Sequence, residues 1–465
     1  MKKYLIFTIV IFLVITGVYS LGAFVFNAKI IRAFSEHTVV KTNTTTEVQK
    51  VSITLPPVHI KSLPDIKNDL LATKQSFIVA NLSTKEVQLY QDGQLSNTLP
   101  IFLLGDPQSW GGSAAGVYKI LSGNEASFSG IAEAYMPYGM NYYGKYYFHG
   151  LPFFEGGEKR ITDETGGCIQ LSDENSKTLY EFALIGMPVL VIDKENQPYA
   201  WPDKKSLTDP DVSAQSYLVA DLDSGFELVQ KNAKEVLPIA SITKLMTALV
   251  VTENIDLRRS ITITQHMIDT YGETPQLRIG DNLRVVELLY PLLLPSSNDA
   301  AEALSGFLGP QKTIQLMNEK STHILMNNTI FFNPHGLDNK ENPEKNNMST
   351  AQDLFSLARY IVNNRSPILE VTNGKTVRSF GGIGFDIPTL GSRNIFTGDP
   401  SFIGGKVGFT LAARYTGVFL FKFQTPDKKI HRIAIIALKS EHLEPDARKI
   451  LQWVQENYQL SPVAQ

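Results

Sequence analysis

Behind Lys2 and Lys3, residues Tyr4 to Ala28 carry no charge, with Ile6, Phe7 and the run Ile9 to Val14 at their centre. About 20 apolar residues span a bilayer as a helix, and positive charge on the short N-terminal side holds that end in the cytoplasm. The pattern predicts a signal-anchor over 1–28, or a signal peptide cleaved near Val18-Tyr19-Ser20 as the alternative. Residues 29–74 are rich in Thr, Val, Lys and Pro without helical periodicity and read as an extended linker. Phe77 to Leu82 then starts a strand-rich region. Val87 to Gln91 alternates and turns at Asp92-Gly93, a hairpin signal. Leu99 to Leu104, Gly116 to Ile120 and Val189 to Ile192 complete a mainly-β domain over 75–193.

Residues 194–215, with Pro198, Pro202 and Pro210 among polar neighbours, read as a second, flexible linker. Tyr217 to Asp221 restarts with a strand. Helical periodicity follows over Ser241–Glu253, Val285–Leu294, Asp299–Phe307, Ile314–Met326 and Ala351–Val362. Strands return at Arg414–Phe421 and Arg432–Leu438. Strand, helices, then strands is the order of an α+β domain, placed at 216–440, with a closing helix and tail over 441–465.

A length of 465 residues suits two or three cores. A formal charge of -3 and a pI near 6.3 give no electrostatic case for nucleic acid. Cys168 is the single cysteine, so no intrachain disulfide forms, and an exported thiol is then either inert or kept for its chemistry. No metal-ligand cluster is apparent, and no cofactor is expected.

Two sets of residues carry candidate chemistry. In the first, His149 ends the apolar run Tyr146-Tyr147-Phe148, and Cys168 follows Thr165-Gly166-Gly167. A thiol needs a base to attack a carbonyl, imidazole serves as one, and a glycine turn can aim backbone N–H groups at an oxyanion. In the second, Ser241 and Lys244 stand one helical turn apart, so a neutral lysine amine could activate the serine. Ser296 and Asn298 could relay a proton and hold a substrate amide. Lys406 and Gly408 lie on a predicted strand whose edge can pair with a peptide while Lys406 attracts its carboxylate. A lone Ser-x-x-Lys is expected by chance. Three pieces in this order are far more specific.

The region 77–193 resembles the L,D-transpeptidase catalytic domain of bacterial cell-wall enzymes. The resemblance rests on His149, the spacer Gly150 to Glu164, Thr165-Gly166-Gly167-Cys168, and the upstream strand Ala115 to Ile120. It implies Cys168 as nucleophile, His149 as base and Gly167 in the oxyanion turn. Gly166 stands where that family usually carries a second histidine. The region 216–440 resembles the low-molecular-mass D-alanyl-D-alanine carboxypeptidases in the triplet Ser241-Ile242-Thr243-Lys244, Ser296-Ser297-Asn298 and Lys406-Val407-Gly408. The surroundings of each motif and the segment Phe332 to Asp338 agree. Val407 replaces the usual threonine, and Thr410 is expected to offer a hydroxyl instead. His335 is read as structural.

These resemblances imply a mainly-β L,D-transpeptidase domain followed by an α+β serine β-lactamase/penicillin-binding-protein-like domain, after an N-terminal transmembrane helix. They imply peptidoglycan stem peptides as substrates, β-lactams as inhibitors and a site outside the cytoplasmic membrane. Trimming by Ser241 would feed cross-linking by Cys168 across the flexible linker. A D,D-endopeptidase, or a non-catalytic wall-binding or β-lactam-sensing protein, are the alternatives.

Overall fold

A computed structural model describes residues 62–194, 197–206, 208–269, 277–375 and 390–463. The N-terminal apolar segment lies outside them. Among the described residues no helix is long and apolar enough to cross a membrane.

The first domain opens with helix α1 (Leu63–Ala72), in the stretch expected to be extended. Ser62 and Asp65 close a capping box, with Ser62 N donating to Asp65 Oδ2 at 2.7 Å, and Pro64 sits in the first turn, where no N–H is needed. Its apolar residues cover Phe77, Val79 and Leu190. That explains why β1 (Phe77–Asn81) is buried on both faces. The strands β2 (Glu86–Gln91) and β3 (Gln94–Pro100) follow, then β4 (Gly116–Lys119), β5 (Ser122–Ser129), β6 (Ala134–Tyr143), β7 (Tyr146–His149) and β8 (Ile169–Gln170). Helix α2 (Asp173–Phe182), not anticipated from the sequence, leads to β9 (Pro188–Ile192). One sheet has the order β3-β2-β1-β9-β4 and the other β5-β6-β7-β8. The strand expected over Leu99–Leu104 stops at Pro100, because the N–H groups of Phe102 and Leu103 turn to Gln170 O beside β8.

The second domain is built on the antiparallel order β11-β10-β14-β13-β12. These are β10 (Ser216–Asp221), β11 (Glu227–Lys231), β12 (Phe402–Thr410), β13 (Arg414–Gln424) and β14 (Ile430–Ser440). Between β11 and β12 the described residues include the helices α3 (Thr243–Asn254), α4 (Val285–Leu293), α5 (Asn298–Leu308), α6 (Pro310–His323), α7 (Ala351–Asn364) and α8 (Ser366–Thr372). Helix α9 (Leu443–Tyr458) closes the chain. Along β10, Leu218 and Ala220 enter the helical core, while Tyr217 and Val219 face α9. A strand covered on both sides reads as a continuous apolar run.

The described part of the second linker is not a free tether. Trp201 and Ala214 are buried beside Tyr217 and Phe419. Trp201 Nε1 donates to Asp221 Oδ2 at 3.3 Å, and Ser213 Oγ donates to Asp446 Oδ2 at 2.6 Å. Polar and proline-rich composition concealed a few apolar anchors, each able to pin the chain.

The two domains share one core. Tyr118, Tyr143 and Tyr146 of the first pack in the same cluster as Leu249, Ile324 and Tyr360 of the second. Within it, Glu253, Lys320 and Arg365 are all inaccessible to solvent. Lys320 Nζ lies 2.9 Å from Glu253 Oε2 and donates to Tyr118 OH at 3.0 Å and Tyr360 OH at 2.8 Å. Arg365 reaches Glu253 at 3.4 Å and donates to Tyr146 OH, while Tyr360 OH donates to Glu253. Burying charge is tolerated where partners of this quality surround it.

Candidate active sites

The parallel pairing of β7 with β8 sets Phe148 beside Ile169 and His149 beside Gln170. One step back along that register, Cys168 faces Tyr147. Residues two apart on a strand share a face, which places His149 and Cys168 on one side, and both line the same cavity. Gly167 makes the turn at φ +115°, where a Cβ would lie 2.4 Å from the Tyr146 ring. Thr165 braces the turn: its hydroxyl donates to Cys168 O at 2.6 Å and accepts from Gly167 N at 3.1 Å.

His149 Nδ1 lies 2.6 Å from Gly150 O. A carbonyl only accepts, so Nδ1 carries the proton and Nε2 keeps a free lone pair. Burial holds the imidazole down at about 4. Burial pushes the Cys168 thiol up to about 11, and the Tyr147 backbone hydrogen bond and the Lys145 charge offset only part of that. The resting pair is therefore a neutral thiol and a neutral imidazole, with Cys168 Sγ 3.7 Å from Lys145 O. His149, Cys168 and Gly166 line a cavity of ≈ 400 Å³. A Cβ on Gly166 would meet nothing within 4 Å, so the position of the missing histidine is open space.

The second site forms where three pieces converge. Ser241 sits in a 3₁₀ turn (Ala240–Ile242) just before α3, rather than within the helix as the spacing alone suggested. Lys244 Nζ lies 2.9 Å from Ser241 Oγ and donates to Asn298 Oδ1 at 2.8 Å and His335 O at 2.8 Å. Burial pushes this ammonium well below the usual lysine range, and the charges of Lys406 and Arg393 push the same way. Lys406 Nζ donates to Val407 O at 2.8 Å, and burial, then Arg393, lower it to about 7. Ser296 holds a left-handed backbone at φ +69°, and its Oγ is buried without a hydrogen-bond partner. Gly408 brings β12 against the serine turn, since a Cβ there would lie 2.7 Å from Ser241 N. Ser241, Ser296, Asn298, Val407 and Gly408 line a cavity of ≈ 580 Å³, with Arg393 beside them.

His335 acts through its carbonyl. Its ring accepts from Leu337 N at 3.0 Å and faces Glu302 at 3.3 Å. Thr410 does not supply the expected hydroxyl to the cavity. Its Oγ1 donates to Asp338 Oδ1 at 2.7 Å and accepts from Ala413 N, fastening the end of β12 to the 332–338 loop. The sequence reading missed Arg393, which lies outside any motif. It also missed Lys145 and the segment Thr252 to Arg258. That segment lines the Cys168 cavity although it belongs to the other domain.

Residues 203–434 match the family model for D-alanyl-D-alanine carboxypeptidase, and residues 75–191 match that for the L,D-transpeptidase catalytic domain. The D-alanyl-D-alanine carboxypeptidase DacB2 of Mycobacterium tuberculosis is 34% identical over 212 residues, 45% of this chain and 70% of that protein. A D-alanyl-D-alanine endopeptidase of Escherichia coli is 26% identical over 254 residues, 53% of this chain and 78% of its own. Among solved structures, the ampicillin-bound penicillin-binding protein D2 of Listeria monocytogenes is 27% identical. The match covers 53% of this chain and 99% of that one, with a TM-score of 0.45.

Proposed function

The chain belongs to the D-alanyl-D-alanine carboxypeptidase family and carries an L,D-transpeptidase catalytic domain ahead of that one, and on this basis we propose that it trims and then cross-links peptidoglycan stem peptides. The observation that carries the reading is the 2.9 Å contact between Ser241 Oγ and a buried lysine amine of depressed basicity. Ser241 Oγ attacks the carbonyl of a terminal D-Ala-D-Ala bond and gives its proton to Lys244. The C–N bond breaks, the proton passes to the departing D-alanine amine, and water releases the acyl group. Ser241 N–H is an oxyanion donor. Lys406 and Arg393 set a positive field for the terminal carboxylate, and the edge of β12 pairs with the peptide.

At the other site, Cys168 Sγ attacks the tetrapeptide carbonyl that precedes the last D-alanine. His149 Nε2 takes the thiol proton and returns it to the leaving amine. The amine of a second stem then displaces the thioester and forms the cross-link. The work takes place outside the cytoplasmic membrane, with the apolar segment 1–28 as anchor. β-Lactams acylate Ser241.

The test incubates the full chain with pentapeptide muropeptides and reads masses, beside Ser241→Ala and Cys168→Ala. The expected result is loss of one alanine that needs Ser241, then dimers that need Cys168. Because several relatives carry the name endopeptidase, cross-linked dimers are run in parallel, and their cleavage by Ser241 would establish that second reading. Penicillin labelling of Ser241 without any product would refute both and leave a sensor.

A further inference from the structure

The cavity around Cys168 has a wall from the other domain. Thr252, Ile255, Asp256, Leu257 and Arg258, at the C-terminal end of α3 and just beyond it, line it together with His149. Lys145 staples this wall in place. Its Nζ donates to Thr252 O at 3.3 Å and Ile255 O at 3.4 Å, the carbonyl end of α3, where a cation is favoured. The carbonyl of the same residue is the partner of the Cys168 thiol at 3.7 Å. Thiol and foreign wall are therefore positioned by one residue.

At the rim, the largely exposed Arg258 guanidinium pairs with Asp256. Nε reaches Asp256 Oδ1 at 2.9 Å and Oδ2 at 3.2 Å, and Nη2 reaches Oδ2 at 2.7 Å. Asp256 Oδ1 also accepts from Arg258 N at 3.0 Å. A guanidinium has five N–H donors, so this clamp leaves Nη1 and one Nη2 hydrogen over. Lys145 and Arg160 add positive charge to the lining, against Glu164 and an Asp256 already matched by Arg258. A fork of spare donors in a cationic cavity suits a carboxylate.

We infer that Arg258, supplied by the carboxypeptidase domain, recognises a carboxylate of the stem peptide bound at Cys168, so that the transpeptidase site is completed by its neighbour. The inference rests on the Cys168 reading above, and its test separates the two. Alkylation of Cys168 by iodoacetamide in the full chain is followed while disaccharide-tetrapeptide is titrated as protectant. Arg258→Ala should raise the half-protecting concentration about tenfold or more, as loss of a hydrogen bond to a charged group does, with Arg258→Lys in between. Peptides amidated at one carboxylate at a time then identify the partner. One of them should lose protection in wild type and show no further loss in Arg258→Ala. Equal protection of wild type and Arg258→Ala overturns the inference alone. It is also overturned if the variant weakens every amidated peptide by the same factor, because Arg258 would then only be shaping the wall. Failure of the tetrapeptide to protect wild-type Cys168 overturns the Cys168 reading and the inference with it. Melting temperature verifies that each variant is folded.

Discussion

At the scale of single residues, the two proposed nucleophiles stand in different surroundings. Burial, then the charges of Lys406 and Arg393, lower the basicity of Lys244, whereas burial keeps both Cys168 and His149 neutral. A thiol near 11 beside an imidazole near 4 yields more thiolate as pH rises, with no plateau at neutrality. Iodoacetamide alkylation of Cys168 should therefore quicken about tenfold per pH unit between roughly pH 6 and 9. A plateau across that range would mean a preformed thiolate–imidazolium pair. The motif residues were legible because each motif is a short string whose chemistry is local. Thr410 was misread because its partner Asp338 lies 72 positions away, and no spacing rule links the two.

At the scale of elements, the serine turn depends on the loop Phe332–Asp338 passing close behind it. Asn347 bolts that loop down, accepting from Phe332 N at 2.7 Å and donating to Thr243 Oγ1 at 3.0 Å. Gly336 makes the approach possible at φ +88°, where a Cβ would lie 1.9 Å from Ala240 O. Gly336→Ala should displace the turn that holds Ser241, at a cost of about 1–3 kcal/mol. Penicillin labelling of Ser241 should then fall ~100-fold, while Cys168 alkylation stays as in wild type. Retained labelling would show that the loop can yield. Most strands and helices were readable from periodicity. Helix α1, missed like α2, hides because its capping box and first-turn proline sit in a stretch whose composition reads as extended. The purpose of that helix, covering the outer face of β1, depends on residues further along the chain.

At the scale of the molecule, the two domains are joined by buried charge as well as by chain. Glu253→Gln would leave Lys320 and Arg365 buried without their carboxylate, a change expected to cost about 3–5 kcal/mol. Calorimetry should show one unfolding transition in both proteins, shifted down in the variant, because the cluster belongs to both domains. Two separated transitions would show that the domains melt independently. None of this was legible beforehand. Tyr118 and Lys320 are 202 positions apart, and each looks ordinary in its own element. The expected flexible tether gives way to a packed junction. Helix α3 has the serine turn at one end and the wall of the cysteine cavity at the other, and its 12 residues fix their separation at ~18 Å. One inserted residue within it would swing the far end by about 100° around its axis while the serine end stayed put. A recombination crossover that changed the length of α3 would therefore disturb the spacing of both pockets at once.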